Sequence, residues 1–292
     1  MSERRLLNAM TVDLEEWFHI FDVPRYRDPA GWDALEPRVE TTTREVLSLL
    51  AAHGARATFF VLGWVARRHP DLLRMIADEG HEVASHGYFH VRAFDADRDG
   101  LRRDIEASIE LIEDLTGARP RGYRAPEWSI IRETAWAWEV LAGLGFAYSS
   151  STVPLTGMGQ RGFAPLPRRI ETAAGPIVEF PISTMRAFWE GLPYSGGLPL
   201  RCAPYWYIVE KLKHENRRGH PGMVYLHPWE LDRAHPPMEL SLGRRFMHFW
   251  NMGSTRRKFE GLLEHFAFAP VAEVLAQPEV SSLLAGPAAP AR

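Results

Sequence analysis

Runs of strand length alternate with runs of helical period along most of this chain, and that alternation leaves few folds open. Leu6-Leu7-Asn8-Ala9-Met10-Thr11-Val12 is a short apolar run, followed by a helical pattern through Val39, Val46, Leu47, Leu49 and Leu50 that stops near Gly54. Ala57-Thr58-Phe59-Phe60-Val61-Leu62 is continuous and β-rich, so it reads as a buried strand bounded by Gly63. Leu72, Leu73, Met75 and Ile76 mark the next helix, Gly80 closes it, and Glu82-Val83-Ala84 is a brief strand. A helix through Leu101, Ile105, Ile109, Leu111, Ile112 and Leu115 stops at Gly117, and Gly122-Tyr123-Arg124 ends another strand. Residues 135–144 are helical up to Gly145, and Phe146-Ala147-Tyr148-Ser149 resumes extended structure. Residues 150–199, dense in Gly and Pro, read as turns and short hairpins covering one end of the domain. A helix over 204–216 stops at Gly219, and Met223-Val224-Tyr225-Leu226 is a last strand. Strands alternating with helices predict a parallel sheet, and this many units in one chain predict an α/β barrel rather than a small open sheet.

Charge and cysteine content narrow the chemistry. A formal net charge of -3, with both signs spread along the sequence, gives no footprint for nucleic acid. The single Cys202 rules out an intrachain disulfide and a thiolate zinc knuckle, so a metal would have to be held by His, Asp and Glu. No window is apolar for long enough to span a bilayer, and Asp13 interrupts the first apolar run, so a cytoplasmic location is expected. Residues 285–292, rich in Pro and small side chains, read as a frayed tail.

Four polar residues share one topological position. Asp13, His86, Arg124 and His227 each stand at or just past the C-terminal end of a predicted strand, the face on which βα-barrel enzymes assemble their catalytic groups. In Ser85-His86-Gly87-Tyr88-Phe89-His90 the two histidines are four apart, and on one turn of helix that spacing would aim both imidazoles at one cation. Glu15 or Glu16 could complete a two-histidine, one-carboxylate site for Zn²⁺ or a similar divalent ion. Asp13 could then take a proton from water and His227 protonate a leaving amine. Arg124 could hold Asp13 ionised, and backbone N–H groups near Glu127 could share a developing oxyanion. Such a set suits metal-assisted hydrolysis of an amide. Trp128, Trp229, Tyr194 and Trp189 lie near these stretches and could stack on sugar rings. The basic run Arg256-Arg257-Lys258 reads as a solvated face, and the pattern Phe259, Leu262, Leu263, Phe266, Phe268 as a helix and strand packed on the barrel.

Five stretches resemble the polysaccharide deacetylases of the NodB-homology group, carbohydrate esterase family 4. They are Thr11-Val12-Asp13-Leu14-Glu15-Glu16-Trp17-Phe18-His19, Ala57-Thr58-Phe59-Phe60-Val61-Leu62-Gly63, Ser85-His86-Gly87-Tyr88-Phe89-His90, Arg121-Gly122-Tyr123-Arg124-Ala125-Pro126 and Tyr225-Leu226-His227-Pro228-Trp229-Glu230. The opening motif, Pro193-Tyr194-Ser195-Gly196-Gly197 and His248-Phe249-Trp250-Asn251-Met252-Gly253 further resemble the exopolysaccharide-locus deacetylases associated with exosortase systems, which carry a C-terminal extension. The resemblance implies a distorted (β/α) barrel of about seven parallel strands over residues 1–240, an extension over 241–280 packed on it, and a disordered tail over 281–292. It implies removal of N-acetyl groups from amino sugars of a bacterial exopolysaccharide or its precursor, beside membrane-bound exopolysaccharide machinery. Asp13 would be the base, His227 the acid, Arg124 the partner of the base, and Glu15, His86 and His90 the ligands of Zn²⁺, or of Co²⁺, Mn²⁺ or Ni²⁺. Tyr194, Trp128 and Trp229 would bind the glycan. The chain departs from the group in two places. Its first motif spaces the carboxylates as Asp13, Glu15 and Glu16, and no Asp-Trp motif orients the final histidine, leaving Glu230, Asp232 or Glu179 for that role. Two other readings are an amidohydrolase of a small cyclic amide and a non-catalytic glycan-binding protein on the same fold.

Overall fold

A computed structural model describes residues 6–20, 23–155, 159–160, 162–187, 190–285 and 289–290. The sheet is built from β1 (Asn8–Leu14), β2 (Thr58–Val61), β3 (Glu82–Ser85), β4 (Gly122–Tyr123), β5 (Tyr148–Ser149), a hairpin of β6 (Arg168–Thr172) and β7 (Gly175–Glu179), and, after the separate hairpin β8 (Thr184–Ala187) and β9 (Glu190–Pro193), β10 (Met223–Leu226). Neighbours follow the order β10-β1-β2-β3-β4-β5-β7-β6, and every pair from β10 to β7 is parallel. Seven parallel strands therefore stand side by side, as the alternation predicts, and only the β6–β7 hairpin pairs antiparallel within the sheet.

Strand periodicity sorts the side chains onto two faces. Met10, Val12, Leu14, Phe59 and Val61 join the large outer core with α1 (Val39–Ala52), α2 (Gly63–Arg68) and α3 (Pro70–Asp78). Ala9, Phe60, Ala84, Met223 and Tyr225 form the inner cluster. Asp13, two residues on from Thr11 and four from Ala9, shares that inner alternation. A second outer core lies between β4 and the helices α4 (Arg98–Thr116) and α5 (Trp136–Gly143). Helix α4 buries Leu101, Ile105, Ile109 and Ile112 at spacings of four and three. Asp97 caps its start by accepting from Gly100 N–H at 2.7 Å, and Gly117 ends it at φ +71°.

Past β9 the chain runs through α6 (Gly197–Cys202) and α7 (Tyr205–Arg217) to β10, then α8 (Leu242–Phe249), α9 (Thr255–His265), β11 (Phe268–Ala269), α10 (Val271–Leu275) and α11 (Pro278–Leu284). The 241–280 segment does more than cover the sheet, because its β11 pairs with β1 in it. The expectation of a disordered tail from 281 is corrected, since residues 281–284 complete α11; 286–288 and 291–292 lie outside the described residues. Nor is 256–258 a solvated face throughout. Lys258 is buried and its Nζ donates to Leu200, Arg201 and Ala203 carbonyls at 2.7–2.8 Å, closing the C-terminal end of α6. No helix among the described residues is long and apolar enough to cross a membrane.

Candidate active site

Because β1, β3, β4 and β10 run parallel, their C-terminal ends meet on one side of the sheet, and that side gathers Asp13, Glu15, His86, Arg124 and His227. His90 reaches the same place by another route than the one expected. Residues 86–90 are a loop and not a helical turn, with Gly87 at φ +78° and His90 at φ +57°. The Asp104 carboxylate on α4 fixes the loop by accepting from Tyr88 and Phe89 N–H at 2.8 and 2.9 Å. A Cβ on Gly87 would lie 2.6 Å from Asp104 Oδ2, so the loop closes only with glycine there.

One ligand atom each from Glu15, His86 and His90 lies within 4.8 Å of the others, all three side chains being buried. His90 Nε2 stands 3.0 Å and His86 Nε2 3.9 Å from Glu15 Oε2. His86 Nδ1–H donates to the Arg124 carbonyl at 2.7 Å, which leaves the Nε2 lone pair free to face Glu15. Burial pushes the His86 imidazole down to about 4, against the pull of Asp13, so it stays neutral at ordinary pH. Glu15 Oε2 is buried with no hydrogen-bond partner. A buried carboxylate oxygen facing two imidazole nitrogens is what a divalent cation would satisfy, and the set fits one. Glu16 points elsewhere: its carboxylate accepts Arg38 and Val39 N–H at 3.0–3.1 Å and so caps the start of α1.

Asp13 is gripped by Arg124, whose Nη1 donates to Oδ1 at 2.5 Å. Arg124 is itself immobilised by Thr11 Oγ1, the Ser150 carbonyl and hydroxyl, and the face of Phe60, 4.1 Å below its guanidinium. Burial alone would raise the Asp13 carboxyl, but Arg124, with His86 and His227 nearby, outweighs it and holds the group below the usual carboxylate range. Opposite stands His227, its Nε2 3.9 Å from Asp13 Oδ2 and 3.3 Å from Glu15 Oε1. Its side chain, 17% exposed against 6% or less for Asp13, Glu15, His86, His90 and Arg124, marks where the site opens.

Of the three carboxylates available to orient His227, Glu230 is the one in contact. His227 Nδ1–H and backbone N–H both donate to Glu230 Oε1, at 2.9 and 3.1 Å, within the tight turn Pro228–Leu231. Asp232 instead pairs with Arg38, and Glu179 takes the Ser151 and Thr152 amides. Burial would lower the His227 imidazole, yet the Glu230 bond and the charges of Glu15, Glu230 and Asp13 raise it to about 9.

Glycan-facing aromatics are placed differently from expectation. Tyr194 is 2% exposed and packed in the outer core, so neither ring face is open to a sugar. Trp229 stacks on His227 at 5.2 Å and on His248 at 4.4 Å, which commits its ring to buttressing the histidine. Trp128 is half-buried against Tyr225, 5.0 Å between centroids. Glu127 and Trp128 both take left-handed backbone, φ +53° and +49°, directly after the Arg124 segment, a strain that marks functional turns. Trp189 lies outside the described residues.

Two contributors carried no role in the sequence reading. His19 is buried, accepts Glu16 N–H at Nδ1 (3.1 Å) and stacks 6.1 Å from His90, walled by Trp32 and Trp64; its place in the first acidic motif was the available signal. Arg201, on α6, sits with Nε 3.4 Å from Glu230 Oε2, and its other nitrogens donate to the His248 and Met247 carbonyls. It lies just past the Gly- and Pro-dense stretch 150–199, where no periodicity points to it.

Parts of the chain are similar to known proteins. Residues 30–149 match the polysaccharide deacetylase family model, and residues 150–276 match a domain of unknown function, DUF3473. The chain is 34% identical over 98 residues to a peptidoglycan-N-acetylglucosamine deacetylase of Bacillus cereus, covering 33% of this chain and 36% of that protein. It is 36% identical over 106 residues to a peptidoglycan deacetylase of Helicobacter pylori, covering 36% and 35%. The chain thus spans about a third of the length of these curated relatives. A crystal structure from Mycobacterium smegmatis, described as a polysaccharide deacetylase, superposes over 97% of this chain and 93% of its own with a TM-score of 0.65 at 22% identity, a likeness of fold. Over residues 30–149 this chain is thus similar to the polysaccharide deacetylase family.

Proposed function

We propose that the protein is a metal-dependent hydrolase that removes N-acetyl groups from amino sugars of a bacterial exopolysaccharide or its precursor. The observation that carries the reading is the facing pair beside the Glu15–His86–His90 cluster: a carboxylate held ionised by Arg124 and, 3.9 Å away, an imidazole held protonated by Glu230. A divalent cation on Glu15, His86 and His90, with Zn²⁺ first and Co²⁺, Mn²⁺ or Ni²⁺ as alternatives, would supply a Lewis acid and lower the pKa of water. Asp13 receives the proton that water loses as its oxygen bonds to the amide carbon. His227 gives its Nε2 proton to the sugar nitrogen as the C–N bond breaks, releasing acetate and a free amine. Arg124 keeps Asp13 charged and aimed, and Glu230 fixes the His227 tautomer with Nδ1 protonated.

The domain division that supports this reading differs from that of the two family matches. His227, Glu230 and Arg201 fall within 150–276, while Asp13 and Glu15 precede 30, so we infer that the matched domain of unknown function supplies the acid half of one catalytic unit. In this reading the unit runs to about residue 240 and the following segment braces it. A cytoplasmic site of action is kept as part of the proposal, with cell fractionation as its check. Acetate release from a panel of N-acetylated oligosaccharides, with small cyclic amides alongside, tests the activity. The reading predicts turnover of the sugars alone, lost on chelation and restored by Zn²⁺. Turnover of the cyclic amides only would replace it, and binding of the oligosaccharides without turnover would leave a glycan-binding protein.

A further inference from the structure

Seven large apolar side chains are exposed among the described residues, and four of them, Leu242, Phe246, Met247 and Trp250, fall in nine consecutive positions. Leu242, Phe246 and Met247 belong to α8, which has no buried residue over its whole length, and Trp250 is its C-cap. Leu242, Phe246 and Trp250 follow at intervals of four, so they form one stripe, and the Phe246 and Trp250 rings lie 4.6 Å apart. The helix is not loose. Arg201 takes the Met247 and His248 carbonyls, His248 stacks on Trp229, and Phe249 packs 5.1 Å from His235. A rigidly attached helix therefore presents its apolar stripe to water, an arrangement that marks an interaction surface.

We propose that α8 is a docking element that seats the protein on an anionic lipid bilayer. Its charge selects the occupant. Positions 242–250 carry Arg244 and Arg245 and no acidic residue, in a chain whose net charge is -3. Aromatic and aliphatic side chains beside arginines suit the headgroup boundary, where rings bury and guanidinium groups meet phosphates. A second copy fits less well, because a two-fold contact would set this arginine pair against itself. Seating α8 also brings the site near the membrane. His227 stacks on Trp229 and Trp229 on His248, so the docking helix is two ring contacts from the proposed acid. Resting on the deacetylase reading, this makes the substrate a glycan presented at a bilayer surface.

Flotation of the full chain with vesicles of phosphatidylcholine, and of equimolar phosphatidylcholine and phosphatidylglycerol, tests the proposal. The expected result is flotation with the anionic vesicles only, weakened by salt. Replacing Leu242, Phe246 and Trp250 together by Gln should cut the bound fraction about tenfold or more with the melting temperature unchanged. A second variant, Arg244→Gln with Arg245→Gln, should lose the preference for phosphatidylglycerol and stands in if the triple variant fails to fold. Wild-type protein that floats with neither vesicle overturns the proposal. So does a triple variant that binds like wild type, or a wild-type dimer that the triple variant dissociates without any vesicle binding. Acetate release from a soluble oligosaccharide should be equal in wild type and triple variant. Flotation itself reads no chemistry, so failure of the deacetylase reading leaves the docking result standing.

Discussion

At the scale of single residues the site is a set of groups whose neighbours push their proton affinities apart. Asp13 is held low by Arg124 and His227 is raised to about 9 by Glu230, Glu15 and Asp13, so between them lies a broad pH range in which the proposed base and the proposed acid are both in working form. The rate should fall on the acid side as Asp13 gains a proton and on the alkaline side as His227 loses one. A cation drawing on Glu15 removes one of the attractions that raise His227, so a pH–kcat profile of the loaded enzyme should show its alkaline limb at or below about 9. Glu230→Gln should move that limb to lower pH and reduce kcat by roughly ten- to a hundredfold, with KM little changed. An unmoved limb would mean that Glu230 does not set the state of His227. Glu230 could be singled out from Asp232 and Glu179 only in three dimensions. All three carboxylates are plausible in the sequence, and the choice rests on a tight turn that brings residue 230 back onto the imidazole of 227.

At the scale of elements, strand ends were legible and loops were not. Short strand-length runs locate β1, β2, β3 and β10, and the residues just past them are therefore known before any coordinate is. The His86–His90 connection is a loop and not the helical turn its spacing suggests, because four-residue spacing is shared by helices and by loops with left-handed residues. What decides is Gly87, whose φ of +78° and contact with Asp104 leave no room for a Cβ. Gly87→Ala should cost about 1–3 kcal/mol, read as a lowered denaturation midpoint, and should weaken metal binding by displacing His90. Stability equal to wild type would show that the loop tolerates another path. Lys258 makes a second point. A basic run was legible, but not that Lys258 is buried against three carbonyls of the α6 end, which depends on α9 lying across α6. Lys258→Met leaves those acceptors unpaired and should destabilise the protein by about 1–3 kcal/mol in a denaturant melt.

At the scale of the whole molecule, one sheet collects side chains from both family-matched segments and from the residues that precede them. Asp13 and Glu15 come from the first strand, His86, His90 and Arg124 from the middle, and His227 from the last long parallel strand, with β11 returning from the C-terminal segment to pair with β1. That closure over long sequence separations is why the alternation alone predicts the parallel sheet but not which distant groups touch. Arg201 shows the limit: it joins α6, the α8 end and Glu230, three pieces with no local pattern in common. The central claim is that Asp13 does chemistry at a metal site built by other residues. Metal content and acetate release measured together on Asp13→Asn test it most directly. The variant should bind metal like wild type and lose acetate release by about a hundredfold or more. Acetate release at the wild-type rate, with metal bound, would contradict the account.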